Sequence, residues 1–410
     1  MYPLKILICG GGCAGPALAF WLARAGHRVT VVERFPALRA TGAQVDLRGQ
    51  GIEVIRRMGL IDVVRSKLVD ETGVAFVDAR DRVKATFLAN TSGKGAQSMT
   101  SEYEIMRGDL VRILYDASKA DVEYVFGKAL AHFVQTEHQV TAHFSDGTSD
   151  TYDLLVGADG QGSRIRAAIL PSAAPDPVRR MGIHMAYWFI PRAASDSNIR
   201  RTYNAPCGRM IFRRSHNPVE TQVYFVLRDS SEASSAIHRK AIEQQKLFWT
   251  GKFGDAGWQT QRFLDGLQTT TSFYSQEVVQ IMTATWYQGR VVLLGDAAHC
   301  ASPFSGMGVS GALVGAYVLA AEINGNTANL PQAFANYDKV LRPFVDAIQG
   351  VNAYALKLGM PETRWGIRAL HAAARLACVL RLPALIARLA PQERDGNWTL
   401  PEYPAYPTRG

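Results

Sequence analysis

The 410-residue chain predicts an α/β fold: a parallel, helix-wrapped sheet with an inserted antiparallel sheet and a C-terminal helical segment. Three observations predict it. Short apolar runs at 5–9, 28–32, 152–157 and 291–294 each stop at a glycine or an acid, as strands of a sheet buried on both faces do. Between residues 182 and 228, aromatic and β-branched residues alternate instead with period two. Beyond residue 326 the pattern is largely helical.

The first run, Lys5 to Cys9, enters Gly10-Gly11-Gly12-Cys13-Ala14-Gly15 and then an apolar helix with Pro16 in its first turn. Proline loses nothing there, because that N–H has no helical partner. In this GxGxxG spacing the first glycine permits a tight turn, the second lets backbone approach a pyrophosphate, and the third lets helix pack on strand. The next run, Arg28 to Val32, ends at Glu33 and Arg34. A carboxylate at that strand end suits ribose hydroxyls. A bare GxGxxG is also met in ligand-free turns; the ordered set of strand, glycines, helix, strand and acid points to a dinucleotide.

The run Tyr152 to Gly157 breaks at Ala158-Asp159-Gly160 and enters a helix with Ser163 near its start and Arg166 in its first turn. On its own this is a turn followed by a helix cap. The segments Gly182–Ile190, Gly208–Arg214 and Thr221–Arg228 read as an antiparallel sheet with one face covered. Arg209, Ile211 and Arg213 share one face of their strand, and Gln222, Tyr224 and Val226 share one face of theirs. Val291 to Leu294 runs into Gly295-Asp296, a carboxylate suited to sugar or ribityl hydroxyls. Pro303 then stiffens a loop, and Gly306, Gly308 and Gly311 open a helix whose N–H groups can approach a flat, electron-rich ring or an anion. Alone, this segment also fits an ordinary strand–loop–helix join.

Taken in order, these segments resemble the flavin-dependent aromatic hydroxylase family, the single-component FAD monooxygenases typified by p-hydroxybenzoate hydroxylase. The resemblance covers about residues 4–325 and includes Met106-Arg107-Gly108-Asp109-Leu110, which matches the family's Arg-x-x-Leu. Gly42 to Gly51, with Asp46-Leu47-Arg48, and the following Ile52 to Leu60 resemble the branch of tetracycline-inactivating and polyketide-tailoring monooxygenases, enzymes of secondary metabolism. The resemblance implies a Rossmann-like FAD-binding domain. Gly10, Gly12 and Gly15 would hold the FAD pyrophosphate, with Cys13 and Ala14 in the same turn. Glu33 would take the adenosine ribose, with Arg34 beside it, and Arg107 the phosphate or ribityl region. Asp159 would sit by the pyrophosphate and the nicotinamide approach, Asp296 at the ribityl or pyrophosphate region, and Pro303, Gly306, Gly308 and Val309 at the flavin ring. The chain departs from common family residues at Met307 (often Gln), Ser310 (commonly Asn) and Gly315-Ala316 (commonly Asp-Ala).

The chemistry implied is reduction of FAD by NADPH, less readily NADH, followed by reaction with O₂. A flavin C4a-(hydro)peroxide then inserts one oxygen atom into an aromatic or polyketide-like small molecule, while the protein orients substrate and excludes water. No side chain need act as nucleophile, so no catalytic residue is assigned. Arg48, His184, Arg209, Arg213 and Tyr224 are the candidates for substrate contact. A cation among them would favour a phenolate; a cyclic ketone would instead undergo Baeyer–Villiger-type insertion. Three other readings are a flavin halogenase, a flavin reductase, and a non-catalytic FAD- and ligand-binding sensor or carrier. Tyr187-Trp188-Phe189-Ile190-Pro191 matches only part of the halogenase signature, whose first tryptophan is Ala186 here.

Composition sets limits. With 47% hydrophobic residues the chain can bury a large core. The expected division is 1–72, 101–178 and 276–325 for the FAD domain, 73–100 and 179–275 for the substrate sheet, and 326–410 for C-terminal helices and tail. The net charge of +9 is scattered without basic runs or an aromatic–basic motif, which favours anionic small molecules over nucleic acid. Five cysteines lack metal-type or disulfide-framework spacing, and the first strand begins within a few residues of Met1; both predict a cytoplasmic protein with reduced thiols and no metal. A mobile loop is expected at Ser92–Ser98. Arg364 to Arg381 predicts a basic, amphipathic helix too charged to span a membrane. Docking across the two domains is favoured for it over membrane-surface contact. An extended tail follows it.

Overall fold

The computed structural model describes residues 3–39, 42–90, 102–215, 217–380 and 398–404. The loop expected at Ser92–Ser98 lies outside them.

The first layer is a six-stranded sheet in the order Tyr287–Gln288, Val291–Leu293, Leu154–Gly157, Lys5–Cys9, Arg28–Glu33, Glu123–Phe126. All neighbours run parallel except the short edge strand Tyr287–Gln288. Ile6, Leu7, Ile8, Leu154, Leu155, Val156, Val291, Val292 and Leu293 are fully buried, because helices cover both faces. Helix Ala14–Arg24 is buried from Ala14 to Ala23, and it packs on helix Gly308–Gly325, buried from Ser310 to Ile323. Helices apolar all round belong inside a layered core. Helix Leu330–Gln349 joins the same core through Phe334, Tyr337, Leu341 and Phe344. Tail residue Trp398 packs at a tilt against Phe344 (centroids 5.0 Å apart), and Arg57 holds Glu402 at 2.7 Å.

The second layer has seven strands: Tyr274–Ile281, Val178–Pro191, Glu220–Arg228, Arg209–Arg214, Ile199–Ala205, Gly73–Val77, Val83–Leu88. Neighbours are antiparallel except Ile199–Ala205 with Gly73–Val77. Tyr274–Ile281 is an edge strand of this sheet, so the second layer reaches 281, beyond the boundary at 275 read from sequence. It pairs with Val178–Pro191 across about ninety residues of chain, a pairing that no local pattern announces. A three-stranded meander, Leu130–Gln135, Val140–Phe144 and Ser149–Tyr152, flanks the first layer.

The sheet's two faces differ. One buries Ala186, Trp188, Ile211, Val223, Phe225 and Leu227 under helices Ile242–Phe253 and Thr260–Thr269. The other carries Ile183, Met185, Tyr187, Met210, Phe212, Tyr224 and Val226 and meets Ala43 and Phe304 of the first layer. Helix Arg364–Val379 lies on strand Val83–Leu88, with the Cys378 Sγ 3.3 Å from the Thr86 carbonyl. It therefore docks on the second sheet's edge, where the sequence reading had it bridging the two domains.

The layers are pinned by buried charge. Arg214, 7% exposed, holds Glu71 at 2.7 Å and also pairs with Glu104, which accepts from the Gln44 amide. Arg214→Leu removes the guanidinium that two buried carboxylates share and is expected to lower the unfolding free energy by about 3–5 kcal/mol. Urea unfolding followed by tryptophan fluorescence measures this; a loss below about 1 kcal/mol would show that the carboxylates find other partners.

Candidate active site

Strand register builds the site. Cys9 lies beside Gly157, and Gly157 beside Leu293, so three strands end level and their following loops converge. Open α/β sheets bind ligands at that edge. Gly10, at φ +124°, sits so close to the next loop that a Cβ there would lie 2.2 Å from the Ala158 carbonyl oxygen. A Cβ at Gly15 would lie 2.0 Å from the Gly10 carbonyl oxygen, so the helix can meet the strand only through glycine. Cys13 and Ala14 are buried where that helix begins, and burial pushes the Cys13 thiol pKa up.

Glu33 accepts from the Gly11 N–H at 2.8 Å and the Phe35 N–H at 3.1 Å, which fixes its carboxylate beside the glycine turn. Arg34 next to it is exposed, with its guanidinium 5.2 Å from the Phe35 ring. Asp159 accepts from the Arg164 N–H at 2.9 Å through Oδ2, while its Oδ1 is buried with no partner among the described residues. Arg166 donates to the carbonyls of Ala297 (2.9 Å) and Gln161 (2.7 Å), tying the Asp159 loop to the turn that carries Asp296.

Asp296 opens onto the cleft, and the protein walls around it raise its carboxyl pKa against the pull of Arg107 and the Cys300 thiol. Burial disfavours the charge on Arg107, yet Cys13, Tyr187, Asp296 and Tyr274 together raise its pKa. Its Nη2 lies within 3.3 Å of where a Gly12 Cβ would be. Beyond Asp296, Pro303–Ser305 forms a single 3₁₀ turn, Gly306 is left-handed at φ +67°, and Gly308 begins an 18-residue helix. Val309 is half-buried in its first turn. Pro303 is exposed.

These groups fit FAD. A glycine turn and a cation suit its pyrophosphate, acids at strand ends suit its hydroxyls, and an open helix N-terminus suits its ring. Nothing lies within 4 Å of where a Gly308 Cβ would be, so that helix start is sterically clear.

The substrate candidates divide. Arg48 reaches the cofactor loop: its guanidinium holds Asp46 at 3.1 Å and borders Gly306. Its backbone N–H donates to the Ser310 Oγ at 2.9 Å, which gives the serine departure a structural task. Tyr224 lies on the sheet face toward the first layer, its hydroxyl donating to Gln222 at 2.7 Å. Arg209, Arg213 and His184, expected from sequence at the substrate, turn instead to the opposite face. Arg209 pairs with Asp255, and Arg213 lies 3.3 Å from Asp196 beneath the covering helices. His184 Nδ1 and His238 Nε2 are 2.9 Å apart, with the rings stacked. The cause is cross-strand pairing: Ile211 faces Phe225 while Phe212 faces Tyr224, so the arginine row and the tyrosine row front opposite sides.

Arg200 was missed. It shares the inward face, lying 4.3 Å over the Phe212 ring. Sequence offered only an adjacent pair, Arg200 and Arg201, with no sign of which one turns in.

The cradle and the second sheet together define a flavoprotein of the two-layer kind. The chain belongs to the FAD binding domain family, whose model matches residues 3–330. It is 38% identical to the FAD-dependent monooxygenase asL4 of Sarocladium schorii, over 98% of this chain and 99% of that one. It is 39% identical to the flavin-dependent monooxygenase eupH of a Phoma species, over 98% of each. The crystal structure of the tetracycline destructase Tet(51) superposes with a TM-score of 0.81 at 28% identity, covering 98% of this chain and all of that one. The protein is an FAD-dependent monooxygenase of the aromatic hydroxylase family.

Two predictions follow from this geometry. Arg107→Met removes a charged donor beside the glycine turn and is expected to weaken FAD binding about tenfold to a hundredfold, read by flavin fluorescence titration. Burial lowers the pKa of His184 and takes that of His238 to about 4, from an unfolded value near 6.5. The unfolded chain then binds more protons, so stability is complete above pH 6.5 and falls as pH drops toward 4. His238→Gln should flatten that fall; urea unfolding at pH 7.0, about 5.5 and about 4.5 reads the slope.

Proposed function

We propose that the enzyme uses NADPH, or less readily NADH, and O₂ to insert one oxygen atom into an aromatic or polyketide-like small molecule in the cytoplasm. One observation carries this reading: Phe304, in the loop between Asp296 and Gly308, packs against the apolar inward face of the second sheet with Met210, Phe212 and Tyr224. The loop suited to the flavin ring and the sheet suited to an aromatic ligand therefore wall one compartment. Bound FAD supplies the redox chemistry, accepting hydride equivalents and activating O₂ for transfer of one oxygen atom.

The chain's own residues do the rest. Gly10, Gly12 and Gly15 admit the pyrophosphate, with Arg107 as its counter-charge. Glu33 and Asp296 take ribose and ribityl hydroxyls, and Asp159, with its free Oδ1, faces the pyrophosphate side. The apolar walls exclude water and orient an aromatic ring, and Arg200 provides positive charge that favours an ionised phenol or enol over its neutral form. A relative whose structure is that of a tetracycline destructase supports a polycyclic, oxygen-rich substrate.

The test is anaerobic reduction of the FAD-loaded enzyme by NADPH with a panel of phenolic polyketides, followed by turnover in ¹⁸O₂. One compound should speed flavin bleaching by tenfold or more and gain a single ¹⁸O atom. NADPH oxidation with no labelled product would favour a reductase, and tight ligand binding with no effect on bleaching would favour a sensor or carrier.

A further inference from the structure

Strand Ile199–Ala205 turns Arg200, Thr202 and Asn204 to one face by its period of two. Thr202 pairs with Phe212 and Asn204 with Met210, so that face is the inward one. Each of the three carries a buried polar atom with no hydrogen-bond partner among the described residues: Arg200 Nε, Thr202 Oγ1 and Asn204 Oδ1. Thr202 and Asn204 are each 1% exposed. Asn204 does use its amide nitrogen, donating to the Gly359 carbonyl at 2.9 Å, which leaves the oxygen as its unmet half.

Native interiors leave few such atoms, and each calls for a cause. Here three of the eleven found among the described residues stand on consecutive inward positions of one strand. A single ordered water could serve one of them, whereas a row at intervals of about 7 Å matches a rigid ligand with several polar groups along an edge. The surrounding surface is apolar and aromatic, with Met210, Phe212, Leu356 and Met360 nearby in the same cluster.

We propose that Arg200, Thr202 and Asn204 form a recognition rail for a polyoxygenated fused-ring substrate. Arg200 donates to an ionised phenol or enol oxygen. Thr202 donates to or accepts from the next oxygen, and Asn204 Oδ1 accepts from a hydroxyl. Phe212 and Met210 hold the ring's apolar face. The inference rests on the reading above that this face bounds the substrate compartment, and it narrows the substrate to molecules bearing oxygens on more than one ring. Discrimination arises because an analogue lacking those oxygens leaves the buried polar groups unmet.

The test uses FAD-loaded enzyme and two probes, naphthalene and 2,7-dihydroxynaphthalene, with binding read from perturbation of the flavin absorption bands. The two oxygens of the diol lie about 7 Å apart, one rail interval. Wild type should bind the diol at least tenfold more tightly than naphthalene. Thr202→Val, which is nearly isosteric and breaks no bond seen in the structure, should remove most of that preference without lowering stability in urea. Arg200→Met should act the same way, and Thr202→Ser should keep the preference. Equal affinity of wild type for the two probes, or a Thr202→Val enzyme that still prefers the diol, would overturn the rail. So would a Thr202→Val enzyme of reduced stability, because the hydroxyl would then be serving the fold. If the diol binds as expected but no compound of the polyketide panel gains ¹⁸O, the rail stands and the oxygenation reading fails.

Discussion

Much of this structure hangs on the level ending of three parallel strands. Hydrogen-bonded register places Cys9, Gly157 and Leu293 abreast, so the glycine turn and the turns carrying Asp159 and Asp296 spring from one edge of the sheet. That alignment is bought with steric exclusion: the backbone at Gly10 lies against the Ala158 carbonyl, and Gly15 against Gly10. Side chains at either place would push the helix or the neighbouring loop outward and carry Asp159 and Asp296 away from one another. Arg166 then fastens the arrangement from below, because its guanidinium bridges the two acid-bearing turns through Ala297 and Gln161 carbonyls.

The second layer must hold its distance from this edge, and it does so with polar contacts set in an otherwise apolar seam. Arg214 between Glu71 and Glu104, and Gln222 with Gln44, connect the inward face to the short strands Gln44–Asp46 and Glu104–Met106. Buried ion pairs add little net stability, since desolvation consumes most of their Coulomb energy. Their directionality is what matters here. An apolar seam would tolerate sliding, whereas a guanidinium fixed between two carboxylates admits one registry. Arg48 and Asp46, one strand end away, thus arrive beside Gly306.

The glycine turn and the strand-end acids were legible in the sequence because the information is local: each motif carries its own strand, turn and helix start within about twenty residues. The substrate face was not. Period two sorts Arg209, Ile211 and Arg213 from Met210, Phe212 and Arg214, but it is blind to which row fronts the first layer. That choice is made by helices Ile242–Phe253 and Thr260–Thr269, which cover the face bearing Trp188 and Phe225 and bury the arginine row beneath them. His184 follows the same rule, two residues before Ala186 on the covered side. Arg200 was hidden for the reverse reason: its neighbour Arg201 pairs with Asp81 on the other side, and only cross-strand contact with Phe212 tells the two apart. Strand Tyr274–Ile281 was misplaced because its partner is distant in the chain.

The loop between Asp296 and Gly308 is shaped by its own side chains. Ser302 holds φ at +78°, a conformation costly for any residue with a Cβ, and such strain persists only where the surroundings over-determine it. They do so here with the loop's own hydroxyls. Ser302 Oγ accepts from the Phe304 N–H at 3.3 Å, Ser305 Oγ donates to the Ser302 carbonyl at 2.8 Å, and the Met307 N–H returns to Ser305 Oγ at 3.0 Å. Met307 itself turns fully into the core and serves packing. Ser310, also fully buried, reaches out to the Arg48 backbone. The backbone that would face the flavin is thus shaped by serines on the loop and braced by one methionine behind it. Ring contacts made through main-chain N–H groups would depend on that backbone shape and not on which side chains stand at 307 and 310.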